Sequence, residues 1–340
     1  MKLKNTKPLI VAEVGLSHKG NFQRAINFIK NAKSSGADIV KFQTHFAKFE
    51  STLDEPFRIN ISKKFKNRYD YWEKTEFSKR EWKKIIDICK KEKIFFATSP
   101  FSIEAVKIMR SLGCRNWKIG SGEALSFGII KEILKNKKDG FIVSTGMSTW
   151  KEICKIYNYV RKKKSSNFYI LQCTTEYPNN FKNVGLNIIE KMKKKFNCMI
   201  GLSDHTGSVF PSISALSLGA KMIEAHVCHS KKNKGPDSSS SLTFNELKLI
   251  ANARDAIFIM NNNYVNKDIL NSSQKKNRKI FSKSLALKND LKKGEKIQKH
   301  NITLKKPGIG LNEKMLNNIV NKIAKKNLSS KRVLQVGDFE

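Results

Sequence analysis

The sequence contains no apolar run of membrane-spanning length. Its one early candidate, Leu9-Ile10-Val11-Ala12, is cut off by Glu13 and is too short even for the core of a secretory leader. Cysteine is sparse and scattered. Its six residues, Cys89, Cys114, Cys154, Cys173, Cys198 and Cys228, form no C-x-x-C pair. That spacing excludes a zinc ribbon or a disulfide framework and suits a reducing compartment, so a cytoplasmic protein is expected. Arginine is scarce as well: only ten of the 66 basic residues are Arg, the side chain that best reads phosphate and guanine with two parallel hydrogen bonds. The lysines are spread over every helical segment, and no basic stripe is interleaved with aromatics. The formal charge of +37 therefore reads as a lysine-rich bias on solvated faces, with a secondary use in drawing in anionic substrates. Neither nucleic acid nor membrane is expected as a partner.

What is present is a globular composition, 39% hydrophobic and 28% charged over 340 residues, enough for one large domain and a small second one. Short apolar runs at 9–14, 38–43, 94–98, 115–119, 141–145, 168–173, 198–202 and 222–227 predict strands. Amphipathic segments at 22–34, 79–92, 102–112, 127–136, 150–163, 184–195, 208–219 and 243–260 predict the helices between and after them. Eight such units match a (β/α)8 TIM barrel over residues 1–262 better than an open doubly wound sheet. The longest βα connection, about 44–78, carries Tyr69, Tyr71 and Trp72 and is expected above the barrel mouth. Residues 263–281 read as a polar linker, and 282–340 as a compact mixed domain.

In a parallel barrel, chemistry sits at the C-terminal ends of the strands. Those ends are polar throughout: Glu13 and His18; Lys41 and Gln43; Ser99; Lys118, Ser121 and Glu123; Ser144 and Thr145; Gln172, Thr174, Thr175 and Tyr177; Ser203, Asp204 and His205; Glu224 and His226. Packing explains one or two such residues, not eight strand ends together. His205 and His226 end consecutive strands, which lie ~4.8 Å apart, so two imidazoles there can reach one ion at ~2.0–2.2 Å. The bland reading is that each ring hydrogen-bonds its neighbours; the pair together favours metal. Lacking a thiolate pattern, such a site suits Mn2+, with Mg2+ or Co2+ as alternatives, and its use would be carbonyl polarisation. Lys41 and Lys118 lie on otherwise buried strands and are expected either to hold a phosphate or carboxylate or to pair with Glu13 or Glu123.

These residues occur in words that resemble the sialic acid (nonulosonate) synthase family, N-acetylneuraminate synthases included. The words are Ala12-Glu13-Val14-Gly15, Lys41-Phe42-Gln43-Thr44, Ser99-Pro100-Phe101-Ser102, Lys118-Ile119-Gly120-Ser121-Gly122-Glu123, Ser144-Thr145-Gly146-Met147, Cys173-Thr174-Thr175-Glu176-Tyr177-Pro178, Gly201-Leu202-Ser203-Asp204-His205-Thr206 and Gly235-Pro236-Asp237. Ser284-Leu285 and Lys306-Pro307-Gly308 resemble the family's small C-terminal SAF (antifreeze-like) domain. The resemblance implies condensation of phosphoenolpyruvate with an N-acetylhexosamine-type aldehyde, N-acetylmannosamine or a 2,4-diacetamido-6-deoxyhexose, to give a nonulosonic acid and phosphate. It implies that His205 and His226 bind the metal while Glu13 orients the aldehyde or water. It assigns Lys41, Ser99, Lys118, Ser121, Ser144 and Ser203 to phosphoenolpyruvate, and Gln43, Tyr177, Asp237 and Lys306 to the sugar. Lys306 stands where the family carries an arginine that reaches from a partner subunit's tail, so a domain-swapped homodimer is implied too. The alternatives are another phosphoenolpyruvate-dependent 2-keto sugar acid synthase and, on charge alone, a non-catalytic polyanion-binding protein.

Overall fold

The computed structural model describes residues 7–57, 65–164, 167–232 and 237–340. Eight parallel strands follow one another in sequence order, and the first closes on the eighth. They are β1 (Leu9–Gly15), β2 (Ile39–Thr44), β3 (Phe95–Pro100), β4 (Asn116–Ile119), β5 (Gly140–Ser144), β6 (Tyr169–Cys173), β7 (Met199–Asp204) and β8 (Met222–Cys228). This is the TIM barrel that the spacing of apolar runs predicts. A two-residue strand, β9 (Leu242–Thr243), adds to β8. The connections carry α1 (Phe22–Ser34), α2 (Ala47–Glu50), α3 (Arg68–Thr75), α4 (Lys79–Lys91), α5 (Ile103–Ser111), α6 (Phe127–Ile133), α7 (Trp150–Lys164), α8 (Leu186–Lys195) and α9 (Phe210–Ser217). The last barrel helix is α10 (Phe244–Asn262). Its start is set by a capping box in which Thr243 and Glu246 satisfy each other's backbone N–H groups; Ser78 and Glu81 do the same for α4. Among the described residues no helix is long and apolar enough to cross a membrane.

Alternation along the strands places the chemistry. On β1, Ile10, Ala12 and Val14 belong to the main core between barrel and helices, whereas Val11 belongs to a second apolar cluster inside the barrel. Ile39, Ala97, Ile142, Leu171 and Met222 join Val11 in that inner cluster. Because side chains two residues apart share a face, the next inward positions are Glu13, Lys41, Ser99, Ser144, Cys173 and Glu224, all buried. An apolar floor thus lies directly beneath a polar layer, and the floor keeps water from reaching that layer from below. Gly201 on β7 is part of the same close fit, since a Cβ there would stand 2.3 Å from the carbonyl oxygen of Met222.

The chain divides into two compact units, the first ending at Asn263 and the second running from Tyr264 to Glu340. The second unit pairs β10 (Ser284–Leu287) with β11 (Ile302–Lys305) in antiparallel register. Leu285, Leu287, Ile297, Leu328, Leu334 and Phe339 form its core. Asp338 is buried beside that core and takes two hydrogen bonds from the Arg332 guanidinium, at 2.7 and 2.9 Å. The polar stretch expected to be linker instead contains a helix, α11 (Ser272–Phe281). Asn271 and Gln274 form a capping box at its start, which nucleates a helix none of whose residues is buried.

Candidate active site

A cavity of about 410 Å³ opens at the C-terminal end of the barrel. Glu13, Lys41, Gln43, Ser99, Lys118, Ser121, Ser144, Tyr177, Ser203, His205, His226 and Asp237 all line it. Strand register explains the convergence. Glu13 pairs with Lys41 on β2 and with His226 on β8, Gln43 with Ser99, and Ser203 with Glu224. Residues paired in register stand side by side on one face, so one inward layer collects groups from the whole ring. Lys306 belongs to the second unit, where its Nζ lies 5.6 Å from the Phe281 ring centre. Gly235 and Pro236 lie outside the described residues.

Two lysine–carboxylate pairs occupy the floor of the cavity. Lys41 Nζ lies 2.6 Å from Glu13 Oε2 and donates to Ser99 Oγ at 3.1 Å. Lys118 Nζ lies 2.8 Å from Glu224 Oε1, which also accepts from Ser203 Oγ at 3.1 Å. Lys41 thus meets one of the carboxylates the sequence offers, while Lys118 meets Glu224 rather than Glu13 or Glu123. The attraction in such a pair is ~6 kcal/mol at an effective dielectric constant near 20. Taking two ions out of water costs several kcal/mol for each, so the pairs add little net stability. What they do is fix two lysine side chains in place inside a barrel.

The electrostatics separate the two acids. Burial alone would raise Glu224, but Lys118 and Lys41 pull it down to about 2. Burial raises Glu13, aided by the nearby Glu224 charge and opposed by Lys41. Burial would likewise lower Lys41, yet Glu13 and Glu224 hold it above its ordinary value. Glu224 is therefore a fixed anion and Glu13 the more proton-accepting of the two.

His205 and His226 face the same cavity with ring centres 5.5 Å apart, and Tyr177 packs against both at 4.2 and 6.0 Å. His205 Nδ1 donates to the carbonyl of Thr174 at 2.9 Å, which leaves Nε2 as the ring nitrogen able to offer a lone pair. Burial would lower His205, but Cys173 and that carbonyl hold it up; burial pushes His226 down to about 4. Among the described residues His226 Nδ1 is buried without a hydrogen-bond partner, and Asp237 Oδ2 is 3.9 Å away. Ser144 Oγ is likewise buried and unpartnered among the described residues. Orphaned polar atoms of this kind cost about 1–3 kcal/mol each and mark where a ligand belongs. The rings suit a divalent ion with two imidazole ligands. Among the described residues no group of three or more His, Cys, Asp or Glu could hold an ion alone, so water or substrate oxygen would complete the shell.

Other lining residues carry interactions that the strand-end reading does not assign. Glu224 stands at a strand end in the sequence, but its role as counter-ion depends on distance across the barrel. Cys173 Sγ lies 3.8 Å from His205 Nδ1, and Ser121 donates to it at 3.6 Å. In the β2–β3 connection, Arg68 lies 3.3 Å from Glu55 and stacks 4.7 Å over Trp72, whose indole donates to Glu55 at 3.0 Å. Tyr71 and Trp72 line the cavity as expected, whereas Tyr69 packs behind them.

Comparison with known proteins agrees with the barrel and the tail domain. The NeuB family model matches residues 28–265, and the SAF domain model matches residues 282–340. The N,N'-diacetyllegionaminic acid synthase of Campylobacter jejuni is 35% identical over 335 residues, covering 97% of this chain and 99% of that protein. The pseudaminic acid synthase of the same species is 32% identical, covering 98% and 97%. Among solved structures, the N-acetylneuraminic acid synthetase of Leptospira borgpetersenii superposes with a TM-score of 0.69 at 24% identity, over 80% of this chain and 90% of that one. At that identity the superposition speaks for the fold alone.

Proposed function

The chain belongs to the NeuB family, and we propose that it is a nonulosonate synthase joining phosphoenolpyruvate to an amino-sugar aldehyde, with release of phosphate. The observation that carries this reading is the buried polar layer, where two charged lysines, unpartnered Ser144 Oγ and two imidazoles share one cavity. The relatives named for legionaminic and pseudaminic acids support a diacetamido sugar as substrate, with N-acetylmannosamine as the alternative.

In this reading Lys41 and Lys118 hold the carboxylate and phosphoryl groups, assisted by the hydroxyls of Ser99, Ser121, Ser144 and Ser203. A divalent ion held by His205 and His226, Mn2+ first and Mg2+ or Co2+ as alternatives, supplies Lewis-acid polarisation of the aldehyde carbonyl when bound. Glu13 sits between Lys41 and His226 in register, placed to orient the aldehyde or to take a proton from the water that adds to C2. Gln43, Tyr177 and Asp237 face the sugar, and the fixed charges need no reorganisation as charge develops. Exposed Ile259 and Met260 on α10, and Tyr264, Val265, Ile269 and Phe281 in the second unit, support a homodimer in which such surface is covered. Lys306 would then serve the partner's site.

The test is phosphate release from phosphoenolpyruvate with Mn2+ and each candidate aldehyde. Release is expected only with a cognate aldehyde present. Release without any aldehyde, or none with all of them, would overturn the assignment.

A further inference from the structure

His45 follows β2 and enters none of the roles above. Its imidazole lies flat between two aromatic faces, 3.8 Å from Trp72 at an interplanar angle of 5° and 4.3 Å from Phe101 at 10°. Nδ1 is 2.5 Å from Glu50 Oε1, and Nε2 is 3.3 Å from Gln43 Oε1. Glu50 is itself fixed, because its other oxygen accepts from the backbone N–H of Phe46 at 3.3 Å. Gln43 Nε2 donates to Glu13 Oε1 at 3.1 Å. That contact with a carboxylate settles which way the Gln43 amide points: its nitrogen toward Glu13, its oxygen toward His45. Each ring nitrogen of His45 therefore faces an acceptor.

We infer that His45 is a positioning residue: held by Glu50, Trp72 and Phe101, it locks the Gln43 amide so that its N–H groups, not its oxygen, face Glu13 and the aldehyde subsite. Without this lock nothing holds the Gln43 oxygen on the His45 side, and the amide can swing its nitrogen away from the Glu13 carboxylate. The chain of contacts Glu50–His45–Gln43–Glu13 runs from α2 to the catalytic layer entirely within the first unit. It predicts stronger control of the sugar side of the site than of the phosphoenolpyruvate side, which it touches only at its far end through the Glu13–Lys41 ion pair.

The inference rests on the function proposed above, and the experiment separates the two. His45→Phe keeps a flat ring in the aromatic stack and removes both ring nitrogens. With the cognate aldehyde, the variant is expected to raise the KM for aldehyde at least tenfold, keep the KM for phosphoenolpyruvate within twofold, and melt within a few degrees of the parent. Glu50→Gln should shift the same constant by a smaller factor. Added to Gln43→Leu, His45→Phe should produce no further loss, since its effect passes through an amide already removed. Equal losses for both substrates, or losses that multiply with Gln43→Leu, would overturn the inference. A crystal structure of His45→Phe tests it without any substrate. The Gln43 nitrogen should leave Glu13, and an unchanged contact near 3.1 Å would sink the idea even if the sugar were never identified.

Discussion

Lys118 on β4 and Glu224 on β8 stand four strands apart in an eight-stranded barrel, yet their charged atoms meet at 2.8 Å. The contact spans the barrel interior and ties its two halves together. Glu224→Leu would leave Lys118 buried beside no counter-ion nearer than those of Lys41. A stability loss of about 3–5 kcal/mol is expected, read as a lower denaturant midpoint at unchanged m-value. Glu224→Gln, which keeps the shape and an acceptor oxygen, should lose less. A loss below about 1 kcal/mol for the leucine variant would mean the pair is solvated.

Removing either imidazole should cost the reaction its carbonyl polarisation, worth several kcal/mol. His205→Ala and His226→Ala are each expected to lower kcat/KM by at least about 100-fold. A chelator should abolish turnover of the parent enzyme, and added Mn2+ should restore it. Turnover unchanged in both variants would remove the metal from the mechanism.

Asp338 gives the second unit a pH dependence of known sign. Burial would raise its carboxyl, but the Arg332 hydrogen bonds and the Gln335 backbone N–H outweigh this and hold it below the ordinary aspartate value. A depressed acid stabilises the fold above the unfolded value, about 3.9, and loses that contribution as pH falls toward and through the folded one. Melting temperatures of the full chain should thus fall below about pH 4 more steeply in the parent than in Asp338→Asn. Parallel curves would show that the pair contributes nothing.

Gly201→Ala puts a methyl group 2.3 Å from the Met222 carbonyl oxygen and 2.7 Å from Leu171 Cδ2. Backbone of a neighbouring strand has nowhere to go in a closed barrel. A loss of about 1–3 kcal/mol or more is expected, measured by denaturation. Since Ser203 and His205 follow on the same strand, turnover should fall with it. A variant as stable as the parent would show that β7 and β8 can separate locally.

The barrel was legible because short apolar runs and amphipathic helical segments are local properties of the chain. Strand and helix positions expected from the apolar runs agree with the structure to within a few residues at most ends. α1 is expected at 22–34 and spans Phe22–Ser34. The short helices α2 and α3 escaped that reading, since their polar, aromatic-rich stretch has no clean helical period. α11 escaped it because a capping box, not an apolar face, sets its start. In the cavity, residue types were legible and pairings were not. Strand ends can be counted along a sequence, but the partner of Lys118 is set by the barrel's diameter, and the stacking of His45 by a loop that folds back over it.

On the proposed reading, the paired floor of the cavity would also discriminate among anions by valence. Each ammonium group already has its carboxylate, so the polar layer is close to electroneutral before anything enters. A chloride or acetate would have to break one ion pair and could satisfy only one cation in return. On the proposed reading, a molecule bearing a carboxylate and a phosphoryl group on adjacent atoms would meet both lysines together, and Glu13, the more proton-accepting of the two displaced carboxylates, would then be free to accept a proton or donor group from its co-substrate. Such a layer would screen out the abundant monovalent ions of its surroundings while staying responsive to a compact, multiply charged one.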